Sequence, residues 1–114
     1  MFSRPKKQKQ VLIDRQIRSI HQAIGDKMLR EPRYFTAALH TLEHRYQAGT
    51  ISYGSYLLWH GILEQQQDPS LFLSLLLASD SRTNALRRRT ILTGILTEQE
   101  RENALEKYIA SELS

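Results

Sequence analysis

Ile13, Ile17, Ile20, Ile24 and Met28 recur at steps of four, three, four and four. A helix brings such positions to one face, whereas a strand would scatter them over both. An isolated helix of this kind is marginal in water and needs its apolar face covered by other elements. This stripe therefore commits the chain to a packed helical assembly.

The rest of the sequence supplies partners of the same type. Phe35, Leu39, Leu42 and Tyr46 are spaced by four, three and four, and Gly49 follows where a left-handed helix end belongs. A third segment begins after Thr50 and places Tyr56, Trp59 and Leu63 on one face, with Gly54 and Gly61 interrupting it. Asp68-Pro69 reads as an N-cap followed by proline at the first helical position. The run Leu71 to Ala78 behind it reads as a buried helix. Asp80 or Ser81 caps a short helix through Arg89. Thr97-Glu98-Gln99-Glu100 has the form of a capping box for a last helix to about Glu112, with Leu105 and Ile109 turned inward. Asp14 reads as the N-cap of the first helix, which ends near Arg30 ahead of Pro32. The fold class expected is all-α, a compact bundle of five or six short helices.

A chain of 114 residues fits one domain. The expected organisation is a basic, disordered tail over residues 1–10 and a single helical domain over 11–114. The absence of cysteine excludes a disulfide scaffold, a thiol nucleophile and a cysteine-held metal. The apolar run from Leu71 to Ala78 is far shorter than the roughly 20 residues of a membrane span. The stretch Val11-Leu12-Ile13 is too short for a signal peptide. A cytoplasmic protein without a membrane partner is expected.

Charge is placed unevenly. Arg4, Lys6, Lys7 and Lys9 carry the whole formal net charge of +4, since acids and bases cancel beyond residue 10. A second basic cluster comprises Arg82, Arg87, Arg88 and Arg89. Such clusters dock on phosphates or acidic protein surfaces, or simply solvate a helix face.

The stretch from Leu86 to Arg101 concentrates the most information. Gly94 permits a positive φ or a close backbone approach. Ile91, Leu92, Ile95 and Leu96 anchor the turn in the core or in a partner. Arg87 and Arg101 flank it and could clamp a carboxylate or phosphate, or could join an internal network with glutamate. Leu86, Arg87, Gly94, Leu96, Thr97, Glu100 and Arg101 match a motif by which the chain resembles a family of small helical bacterial proteins from toxin–antitoxin loci. The resemblance extends loosely from Ile13 to Leu105. It departs at Arg88-Arg89, where small polar residues are usual, and at Ile91, where proline is common. It implies an antitoxin-like context and no defined chemistry.

Catalytic motifs are sparse. His40 and His44 stand one helical turn apart, a spacing that suits a metal, but the acid between them, Glu43, directly precedes His44 and does not follow His40 as the H-E-x-x-H metalloprotease helix requires. A solvated helix face is the preferred explanation of the pair. Arg15 and His21, and Arg33 and His40, have the spacing of the Arg–His motif of the HEPN helical ribonucleases, which they resemble in that motif alone. Tyr46, Tyr53, Tyr56 and Trp59 suit a core or an interface, with Tyr53 off the main face.

Three readings follow. The first is a non-enzymatic protein-interaction module, the neutralising or regulatory component of a toxin–antitoxin-like pair. Its partner- or phosphate-binding residues are Arg82, Arg87, Arg88, Arg89 and Arg101, and its interface candidates are Tyr53, Ile91, Leu92 and Gly94. This reading calls for an apolar patch rimmed by arginine, with a protein partner or a second copy of the chain, and no cofactor or metal. The second is a nucleic-acid binder using the basic tail and arginine cluster. The third is a ribonuclease of the helical type.

Overall fold

The structure, a computed structural model, describes residues 6–113. Six helices follow one another: α1 (Lys6–Arg30), α2 (Arg33–Gln47), α3 (Tyr53–Leu63), α4 (Pro69–Leu76), α5 (Ser81–Arg88) and α6 (Glu98–Leu113). The described residues contain no strand.

The helix ends follow local chemistry. Gly49 takes φ +73°, and the chain closes α2 by two bonds, Gly49 N–H to Tyr46 O and Thr50 N–H to Arg45 O. That is the paired closure of a glycine-terminated helix. Ser52, Asp68 and Asp80 each accept from the backbone N–H three residues on. Thr97 and Glu100 cap α6 reciprocally, at 3.1 Å and 2.8 Å.

The first helix differs from its expected limits. It already runs from Lys6, so residues 6–10 of the expected tail are helical, while residues 1–5 lie outside the described residues. Lysine and glutamine are straight-chain helix formers, and nothing between Lys6 and Asp14 breaks a helix. Asp14 is no cap. Its carboxylate accepts Arg88 Nε and Nη2 at 2.8 Å and 2.7 Å, a contact with α5 across 74 residues.

The core gathers on the second half of α1. Met28, Phe35, Leu42, Trp59, Phe72 and Leu76 are fully buried, and the Phe35 and Phe72 rings meet at 4.9 Å. α4 crosses α1 at Gly25, where an added Cβ would stand 2.8 Å from Leu73 Cδ2 and 3.0 Å from Leu76 Cδ2. Glycine in mid-helix weakens α1 locally but lets α4 approach.

α6 runs antiparallel along α1. Its start lies by Ala23, Asp26 and Arg30, and its end by Leu12, Ile13 and Gln16. No residue of α6 is fully buried. Ile109, expected inward, is 54% exposed, and Ile13 is 49% exposed although it shares the stripe of Ile17 and Ile24. The outer turns of these two helices reach past the layer formed by α2 to α5, and the molecule measures 47 × 29 × 25 Å. No helix among the described residues is long and apolar enough to cross a membrane.

Candidate functional site

Six residues of the α5–α6 connection, Thr90 to Ile95, form a tightly held turn. Ile91, Leu92 and Ile95 are buried beneath it. Both Ile91 and Leu92, expected as interface residues, thus anchor the turn to the core. Gly94 sits at its exposed tip with φ +75°.

Three polar side chains from two helices hold the turn. From α2, Arg45 donates to Thr90 O at 3.0 Å and to Thr93 Oγ1 at 3.4 Å. The buried Lys27 of α1 donates to Ile95 O and to Glu100 Oε1, each at 2.7 Å. The lysine keeps the Glu100 carboxyl down at about 2, assisted by the Thr97 N–H. Glu100 in turn raises the Lys27 ammonium above its ordinary value.

His21, also buried, makes the third attachment. Its Nδ1 lies 2.8 Å from Ile17 O, and a carbonyl can only accept, so Nδ1 carries the proton. Nε2 then accepts from the Thr90 hydroxyl at 2.8 Å, and Thr90 Oγ1 accepts from Leu92 N–H at 3.0 Å. Burial lowers the His21 pKa to about 4, so the ring is neutral near pH 7. Both nitrogens are occupied, which leaves His21 no free position from which to serve as a base. Arg15, its partner in the ribonuclease-type spacing, faces Glu112 at 3.8 Å. In the second such pair, Arg33 engages Glu31 and Tyr34, and His40 is exposed. No group of three or more His, Asp or Glu side chains suited to a metal occurs among the described residues.

The arginine cluster divides by depth. Arg87, expected as an outward clamp, is 1% exposed. Its Nη1 donates to Leu76 O at 2.7 Å and Ala78 O at 2.9 Å, and its Nη2 to Asn84 Oδ1. The intervening carbonyl, Leu77 O, accepts Arg18 Nε at 2.7 Å. Helix α4 has neither a glycine nor a basic residue at its own end. Its terminal carbonyls therefore need outside donors, and cations suit the negative end of the helix dipole. Arg18 did not stand out in the sequence. The uncapped end of α4 is the signal that points to it. Arg88 is committed to Asp14, as described. Arg82, Arg89 and Arg101 are exposed, and their side chains make no hydrogen bond or ion pair among the described residues.

Between the turn, α1 and α6 lies a cavity of about 360 Å³. Ile17, Ile20, Ile24, Leu92 and Leu96 form its apolar lining, and Arg87, Arg88 and Arg101 its cationic one, with Gly94 and Thr93 at the turn. No carboxylate lines it. The Nε of Arg87 is buried without an acceptor. The volume falls toward the small end of the roughly 300–1,000 Å³ range of binding pockets.

Tyr53 belongs to a different surface. It is 61% exposed and lies 6.4 Å from Tyr56, which stacks on Tyr46 at 4.3 Å. Tyr56 Oη donates to Glu43 at 2.6 Å, and that bond raises the phenol above its ordinary value. Tyr46 and Tyr53 meet at 6.1 Å in a tilted arrangement, so the three rings form one cluster.

No family model, curated protein or solved structure matches the chain.

Proposed function

We infer that this chain is a protein-interaction module working in the cytoplasm, and that the cavity beside the Thr90–Ile95 turn is its binding surface. One observation carries this reading: an aliphatic groove with the uncommitted guanidinium of Arg101 at its edge and no carboxylate in the lining. Such a site favours an aliphatic side chain accompanied by an acidic one, because the apolar floor rewards burial and the rim rewards negative charge. The rigid turn supports it, since a preformed groove loses little entropy on binding. A partner segment with leucine or isoleucine next to glutamate or aspartate meets these demands. The resemblance of the Leu86–Arg101 motif to antitoxin-like proteins supplies the finer form, in which the partner is a toxin that this chain neutralises.

The test is capture with the tagged full chain after nuclease treatment. A stoichiometric protein that Arg82→Glu retains and that Arg101→Glu and Thr93→Tyr both lose supports the reading. Arg82 does not line the groove, so it reports on general charge. Capture that survives every groove substitution sinks the reading. Recovery that needs intact nucleic acid transfers the function to Arg82, Arg89 and the basic N-terminal residues. For the finer form, the captured protein should arrest growth when expressed alone and be tolerated beside this chain.

A further inference from the structure

The outer face of α6 carries the chemistry that the groove calls for. Glu102, Glu106, Ile109 and Leu113 recur at four, three and four, which places them along one stripe. All four are exposed, Leu113 at 83%, and Ile109 and Leu113 border an open cleft shared with Leu12 and Ile13 of α1. Neither glutamate side chain has a hydrogen bond or ion pair among the described residues. The stripe is aliphatic at its outer end and acidic toward its middle. The groove, conversely, has an aliphatic floor and the uncommitted Arg101 beside it.

We propose that the chain forms a two-fold dimer in which the outer turns of α6 from each copy seat Ile109 and Leu113 in the groove of the other. This inference rests on the groove being a protein-binding surface. A two-fold arrangement satisfies both stripes and both grooves at once, which an open head-to-tail contact does not. Antiparallel pairing of the two α6 helices that sets Ile109 beside the second copy's Arg101 brings Glu106 within one helical turn of that guanidinium, a rise of about 4.5 Å. The uncommitted arginine then gains a carboxylate, and the two exposed aliphatic side chains gain a floor. Self-association would fill the groove, so a protein partner must compete with the second copy for it.

Sedimentation equilibrium on the full chain, from micromolar to near-millimolar concentration, tests the proposal. A monomer–dimer equilibrium is expected. Leu113→Lys, Arg101→Glu and Glu106→Arg should each raise the dissociation constant at least ~tenfold, with an unchanged helical circular dichroism spectrum. An equimolar mixture of the Arg101→Glu and Glu106→Arg chains should recover association, because each reversed charge then meets its opposite. A chain that stays monomeric throughout overturns the proposal, as does a dimer that tolerates all three substitutions or one that the mixture fails to restore. If the chain is monomeric but Arg101→Glu still loses a captured protein, the dimer fails and the groove reading stands. If Arg101→Glu changes neither, both fail.

Discussion

Arg87 and Arg101 stand fourteen residues apart on consecutive helices, and the regions around them have opposite character. Around Arg87, a buried guanidinium meets two carbonyls and an amide, and Arg18 takes the carbonyl between. Around Arg101, helix α6 has no fully buried residue, and Glu102, Glu106, Ile109 and Leu113 are exposed. Both regions combine cationic and apolar side chains. In the first these satisfy one another inside the chain, and in the second they remain available to another surface. Composition therefore does not separate a structural arginine from a binding one; what separates them is whether an internal acceptor lies within reach.

Substitutions can break or sharpen this contrast. The largest effect is expected from Arg87→Ala, which strips donors from buried carbonyls and should cost about 4 kcal/mol in urea unfolding. A loss below about 1 kcal/mol would mean that water satisfies the end of α4 unaided. Acid is next. The folded His21 has its pKa lowered from the ordinary 6.5 to about 4, so the unfolded chain binds the proton more readily. Stability is then fully present above 6.5 and declines as pH falls toward 4, by about 3 kcal/mol at this one residue. His21→Gln should flatten that slope. The Glu100 contribution belongs to a lower window, declining as pH falls from 4.5 to about 2. Gly25→Val should cost about 2 kcal/mol by forcing α4 off α1. The smallest effect is expected at the open side. Arg101→Ala should change unfolding by no more than about 0.5 kcal/mol while weakening whatever occupies the groove. Amides in the outer turns of α6 should exchange with solvent faster than those around Met28.

What the sequence revealed, and what it concealed, follows from range. Asp68, Asp80 and the Thr97–Glu100 pair are visible because a cap needs only an oxygen and an N–H three residues away. Asp14 has the same side chain but serves an ion pair with a residue 74 positions on, which no local pattern encodes. The periodicity of Ile13, Ile17, Ile20 and Ile24 identifies one face correctly. It does not reveal where the covering layer stops, so Ile13 and Ile109 look like core residues and are half exposed. Within the candidate site, Gly94 and Arg101 were legible as an exposed turn and a flanking cation. Arg87, Ile91 and Leu92 were legible as important, but their depth depends on packing between helices distant in sequence. Arg18 and Lys27 escaped notice because their acceptors, Leu77 O and Ile95 O, are backbone atoms that every residue possesses.

The closure of α4 also bears on the order of assembly. The groups that finish this helix arrive from 59 residues upstream and from 11 residues downstream. During synthesis, Leu76 emerges from the ribosome before Arg87 does, and until Arg87 emerges the helix terminus has only water and Arg18 to engage. α4 therefore settles after α5 has emerged and folded back, and a nascent chain halted between them exposes the aliphatic run from Leu71 to Leu77 to whatever chaperone is nearby.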